Sequence, residues 1–182
     1  RTDYDLKKHA EHSGAKLSYF DQQKQDPETG KNGWRYTPYV IEPAAGVTRG
    51  LLVYLLDAYH EETVPNADGE DSSRVVMKLH PRLAPIKVAV LPLVKKEGLP
   101  DIAREMVSRF FKAGINARYD EQHSIGKRYR RHDEAGTPYC ITIDGQTTED
   151  GTVTIRDRDT MEQVRISKDE VLQVVQKRLV DS

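Results

Sequence analysis

Apolar and polar positions fall into two regimes along the chain. In the first, "KLSYFDQQ" (16–23) and "WRYTPYVIE" (34–42) mix aromatic and β-branched residues with polar ones. They flank the turn-forming cluster "DPETGKNG", so the three segments predict an antiparallel hairpin. Pro43 and Gly46 then break the pattern, and Leu51, Leu52, Leu55, Leu56 and Tyr59 recur at helical spacing. The stretch 61–73, with Pro65 and Gly69, reads as a solvated loop. "HPRLAP" (80–85) punctuates the chain and sets the expected boundary between domains 1–83 and 84–182.

The second regime alternates. "IKVAVLPLV" is a nearly continuous apolar run, as expected of a strand covered on both faces. Apolar residues at 99, 102, 103, 106, 110 and 113 give an amphipathic helix that Gly114 closes. "NARYDE" and "YCITID" read as further strands, with "SIGKRYRRHDEAGTP" between them. "TVTIRD" and "EQVRIS" alternate as a hairpin should, and "DGQTTEDGT" reads as a turn. Ser167 with Glu170 forms an expected capping box before a last helix with Val171, Val174, Val175 and Leu179 as its stripe. Strand, helix, strand, helix, strand, hairpin, helix implies an α/β fold, a mixed sheet flanked by helices.

Composition changes this picture little. The 182 residues are 37% hydrophobic and 31% charged, which describes a globular chain with a busy surface. No apolar run approaches the roughly 18 residues of a membrane span. The single cysteine, Cys140, rules out an internal disulfide and a cysteine-based zinc site, and points to a reducing, cytoplasmic compartment. The chain opens on "RTDYDLKKHAEHSG" without an initiator methionine, and is expected to be a piece of a longer polypeptide.

Charge distribution matters more than the net charge of −1. Residues 61–71 carry five acidic groups and no basic one; Lys127, Arg128, Arg130 and Arg131 crowd into five positions. On a helix those four side chains share an arc of about 160°, with Ile125 and Tyr129 opposite. Such a face suits a phosphate backbone or stacked bases; it also suits a solvated helix in which Arg130 pairs with Glu134. Glu42, at a strand end, could bind an ammonium group, and Arg49, at a helix start, could stack on a nucleotide. The alternative is a buried Glu42–Arg49 pair that fixes the turn. His9 and His12 have no third ligand at metal spacing, and His123 and His132 flank the basic cluster.

"YVIEPAAGVTRGLLVYLLDAY" resembles motif 3 of the class II aminoacyl-tRNA synthetases, with its G-x-x-R core at Gly46-Val47-Thr48-Arg49. "RTDYDLKKHAEHSG" and the "VIEP" lead-in are similar to glycyl-tRNA synthetases of the dimeric type. "LHPRLAPIKVAVLPLVKK" and "SIGKRYRRHDEAGTPYCITID" resemble the anticodon-binding domain of class IIa enzymes. The matching stretches keep the family's order over nearly the whole chain.

The resemblance implies a C-terminal anticodon-binding domain with a mixed five-stranded sheet, after an antiparallel remnant of a class II catalytic domain. It implies ATP-dependent charging of tRNA-Gly with glycine by a homodimeric enzyme, with ATP and glycine as substrates and Mg2+ in the full-length protein. Arg49 and Gly46 would bind ATP, Glu42 would hold the glycine ammonium, and Ala44 stands where the family commonly has serine. Lys127, Arg128, Arg130 and Arg131 would contact tRNA, with Arg156 and Arg158 as neighbours. Motifs 1 and 2 would lie upstream of Arg1, so this piece alone is expected to be inactive. The competing expectations are a non-catalytic nucleic-acid-binding relative, such as the accessory subunit of the mitochondrial DNA polymerase, and a class IIa synthetase for proline, threonine or histidine.

Overall fold

The computed structural model describes residues 3–38, 43–65, 69–96 and 98–182. The chain forms two compact units, Arg1–Gly46 and Val47–Ser182. The first holds a helix, α1 (Asp3–Ser13), followed by Gly14 in the left-handed region, and the expected hairpin of β1 (Tyr19–Gln25) and β2 (Asn32–Tyr36). The strands pair antiparallel from Tyr19↔Tyr36 to Gln25↔Asn32. The Asp26 carboxylate organises the turn by accepting from the amides of Glu28 (2.8 Å) and Thr29 (3.3 Å). Trp34 and Tyr36, two apart on one face of β2, stack with centroids 4.3 Å apart.

The second unit begins with the helix over the leucine-rich segment, α2 (Val47–Ala58), which runs without a break into β3 (Tyr59–Pro65). β4 (Asp71–Met77) returns antiparallel, from Pro65↔Asp71 to Tyr59↔Met77. The expected acidic loop is therefore largely a hairpin. Its acids mislead because partners neutralise the inward one: Glu62 takes Lys78 Nζ at 2.5 Å and Arg74 Nη1 at 2.8 Å.

The five-stranded mixed sheet follows, built from β5 (Val88–Pro92), β6 (Ala117–Tyr119), β7 (Tyr139–Ile143), β8 (Thr152–Asp157) and β9 (Gln163–Ser167), in the order β6-β5-β7-β8-β9. β5 lies parallel to both β6 and β7, and the β7, β8 and β9 pairings are antiparallel. All five residues of β5 are buried, as its unbroken apolar run demands.

Alternation sends Val88, Val90, Ile141, Val153 and Ile155 to one face. There they meet α3 (Leu99–Lys112) through Leu99, Ala103, Met106 and Phe110, and α6 (Val171–Asp181) through Val171 and Val175. Ala89, Leu91 and Cys140 point to the other face, against Ile125 and Tyr129 of α4 (Ile125–Glu134). Burial pushes the Cys140 thiol up to about 12, so it stays protonated and serves as packing.

Two local expectations change. "DGQTTEDGT" contains a short helix, α5 (Gly145–Asp150), because Asp144 and Thr147 cap each other reciprocally. No capping box forms at Ser167, whose hydroxyl accepts from the Asp169 amide at 3.3 Å. The Lys168 amide bonds to the Gly151 carbonyl (2.9 Å) instead, which carries the strand direction on and delays α6 to Val171. Leu172 rather than Val174 joins the core beside Leu179.

Candidate nucleic-acid interface

β6, β5 and β7 run parallel, so their C-terminal ends share one edge of the sheet. There residues 93–96, the loop 120–124 and the starts of α3 and α4 converge. Backbone carbonyls at such an edge have no further strand to bond, and Arg128 takes them up. Its guanidinium donates to the carbonyls of Pro92 (2.6 Å), Leu93 (3.3 Å) and Asp120 (3.3 Å), joining the ends of β5 and β6. Arg128 is buried, and that burial pulls its pKa down while the nearby Asp120 carboxylate opposes the change. Asp120 in turn accepts from Arg131 Nη1 at 2.7 Å and from the Gln122 amide at 3.0 Å.

A cleft of about 460 Å³ opens here, lined among others by Lys95, Lys96, Asp101, Arg104 and Glu121. The Arg104 guanidinium carbon lies 4.9 Å from the centroid of the Tyr119 ring, and the Tyr119 hydroxyl bonds to the Glu121 carboxylate. Burial, then Glu121, pushes the Tyr119 phenol up to about 12, and the phenol's hydrogen bond holds Glu121 below the usual carboxylate range. Chemically the cleft offers the flat guanidinium of Arg104 for a base to stack on, a carboxylate that accepts from an exocyclic amine, and two lysines for phosphates.

The six basic residues expected at the interface divide. Lys127 and Arg130 are exposed on the outer side of α4, and Arg130 donates to Ser72 Oγ at 2.5 Å. Arg131 is half-buried on its Asp120 partner. Arg128, Arg156 and Arg158 do not face solvent, which corrects the picture of one basic arc. Arg156 forms a two-pronged pair with Asp133 (2.8 and 3.0 Å) and lies 4.8 Å from the Tyr129 ring centroid. Arg158 grips Asp159 with two donors at 2.8 Å and donates to the Gly136 carbonyl at 2.9 Å.

The geometry of α4 explains the split. Arg128 and His132 lie within about 60° of Ile125 on the helix, so they follow the packed side inward. Lys127, Arg130 and Glu134 occupy the opposite side. Sequence reasoning missed Lys95, Lys96, Arg104, Tyr119 and Glu121. The two lysines had a legible signal, since they directly follow a buried parallel strand, where α/β sheets place ligands. The Arg104–Tyr119 contact joins a helix to a strand and has no linear signature.

At the other candidate site, Arg49 is exposed in the first turn of α2, and its guanidinium has no partner among the described residues. Ala44 and Gly46 are exposed at the end of the first unit. Glu42 lies outside the described residues. Among the described residues no three carboxylate, histidine or cysteine side chains converge as a metal cage, and no helix is long and apolar enough to cross a membrane.

Residues 87–178 match the family model described as the anticodon binding domain. The chain is also similar to several glycine–tRNA ligases. That of Corynebacterium efficiens is 52% identical over 180 residues, which is 99% of this chain and 37% of the relative. That of Thermobifida fusca is 51% identical over 179 residues, with shares of 98% and 37%. That of Clostridium perfringens is 51% identical over 179 residues, with shares of 98% and 36%. The chain thus spans a little over a third of the length of the curated relatives it matches.

Proposed function

The chain belongs to the anticodon-binding domain family, and from that membership we propose that residues 84–182 read the anticodon of tRNA-Gly within a glycine–tRNA ligase. The observation that carries this reading is the cleft at the C-terminal edge of the parallel strands. It puts Lys95, Lys96, Arg104 and Glu121 around one opening, with Arg104 backed by the Tyr119 ring and Lys127 and Arg130 exposed on α4. Unstacked anticodon bases are read in this way, by stacking and by contacts to their edges. Arg128 acts one layer below: by binding the carbonyls at the ends of β5 and β6, it sets the floor on which the cleft stands.

Residues 1–83 are the end of a class II catalytic domain in this reading. Glycine and ATP would give glycyl-adenylate and pyrophosphate, and the glycyl group would pass to a hydroxyl at the tRNA 3′ end with release of AMP. The solvent-facing guanidinium of Arg49 is free to stack on adenine and neutralise phosphate charge. Glu42 would bind the glycine ammonium beside Ala44, and Gly46 would let the backbone approach the nucleotide. Mg2+ is usually held by one or two carboxylates together with substrate phosphates, so here it would arrive with the nucleotide. The catalytic cycle belongs to a longer, cytoplasmic, homodimeric protein, and the 182-residue chain is inactive by itself. The ligase names of the relatives favour this reading over a non-catalytic polymerase subunit or a synthetase for another amino acid.

The test is binding of a tRNA-Gly transcript to the 182-residue chain across a salt series. Lys127→Ala and Arg130→Ala should each weaken binding and reduce the slope of log Kd against log salt by about 1. Arg104→Ala should weaken binding through lost stacking, by about 1–3 kcal/mol. Unchanged affinity in all three variants would remove this surface from the interface.

A further inference from the structure

The matched family segment begins at residue 87, yet the side chains that hold α4 come partly from upstream of it. β4 runs alongside α4 and meets it at three successive levels. Ser72 Oγ accepts from Arg130 Nη2 at 2.5 Å. Arg74 Nε donates to Asp133 Oδ2 at 3.0 Å. At Gly136, just past the helix, a Cβ would stand 2.8 Å from Leu79 Cδ1 and 3.1 Å from the Met77 carbonyl oxygen.

Arg74 is the centre of this contact. It is 3% exposed, and each of its three nitrogens has a different acceptor. Nε goes to Asp133 on α4, Nη1 to Glu62 on β3 at 2.8 Å, and Nη2 to the Arg158 carbonyl just beyond β8. Asp133 is 1% exposed and is shared with Arg156 of β8. The two-pronged grip of Arg156 on this carboxylate and the single Nε bond from Arg74 approach it from two directions and together fix the rotation of α4 about its axis. That rotation decides where Lys127 and Arg130 face.

We propose that the β3–β4 hairpin is a working part of the RNA-binding unit and that Arg74 is its positioning residue, holding α4 so that Lys127 and Arg130 present their charges on its exposed side. The inference rests on the reading of α4 as an RNA-facing helix, and it carries the functional unit upstream of residue 84. Arg74 itself is enclosed and touches no RNA. Its loss should therefore change affinity without removing a phosphate contact.

Arg74→Lys keeps the charge but gathers its donors on one nitrogen, which cannot reach acceptors spaced around a guanidinium. In the full 182-residue chain it should raise the Kd for a tRNA-Gly transcript about two- to thirty-fold, the range of coupling carried by packed networks. The salt slope should stay at its wild-type value, and amide exchange over 125–134 should speed up. Ser72→Ala, which frees Arg130 without disturbing a buried charge, should raise Kd in the same direction and by less. If Arg74→Lys does not fold, Ser72→Ala and Glu62→Gln carry the same measurements. A lower melting temperature with unchanged Kd and unchanged exchange in α4 would make the cluster structural only and overturn the inference. Failure of the wild-type chain to bind the transcript would instead overturn the reading of α4 and the RNA half of this inference, leaving amide exchange to decide the positioning.

Discussion

His132 shows how a surface-looking charge cluster hides an interior. It is 2% exposed, its Nδ1 lies 3.4 Å from Thr137 Oγ1, and its Nε2 is 3.4 Å from Asp120 Oδ2, long for a hydrogen bond. Burial pushes its pKa down, and the Arg118 and Arg131 charges add to that, against the pull of Asp120. The folded state therefore holds His132 neutral at pH values where the unfolded chain takes a proton. The stability this contributes is complete above the unfolded value of about 6.5 and is lost as pH falls through the lowered folded value. Urea midpoints should drop between pH 7 and pH 5.5, and His132→Gln should flatten that part of the profile. The sequence showed the basic residues but not which of them turn inward. Charge alone assigns Arg128 to the surface; the unbonded carbonyls of Pro92, Leu93 and Asp120 draw it in.

Elements were legible where periodicity had one interpretation. The all-apolar run of β5, the stripe of α3 and the alternation of β8 each matched the structure, because burial on two faces, one stripe or one face leaves a distinct signature; in β9 only Ile166 follows it, since Val164 is exposed. The hairpin of β3 and β4 was not legible, since Glu61, Glu62 and Asp71 looked like solvated loop and only folding brings Arg74 and Lys78 to Glu62. The end of α4 carries a prediction at this scale. Gly136 has φ +74 and lies against Met77 and Leu79, so Gly136→Ala meets both a backbone penalty and a clash. It should cost about 1–3 kcal/mol in denaturant unfolding, whereas an alanine at the helical Gly126, which has open space around its Cβ position, should be neutral or slightly stabilising.

For the whole molecule, α2 stands apart. Leu51, Leu52, Val53, Tyr54 and Leu56 are each 56–68% exposed, an apolar surface on nearly every side of one helix. Helices of that kind are normally covered, and exposed apolar patches drive association. The 182-residue chain should show concentration-dependent growth in light scattering, reduced by Leu52→Glu together with Leu56→Glu; invariant scattering from micromolar to millimolar protein would contradict this. The helical spacing of these leucines was legible in the sequence. Their exposure was not, because spacing shows which residues share a face and not what lies against it.

The order β6-β5-β7 has a last consequence, for synthesis on the ribosome. β5 is made first, yet both of its neighbours are later segments, and Tyr139–Ile143 follows it by almost fifty residues. Until that segment leaves the exit tunnel, a nascent chain holds a wholly apolar strand with an unpaired side. A translational pause while Tyr139–Ile143 is still within the ribosome would prolong that state and invite chaperone capture.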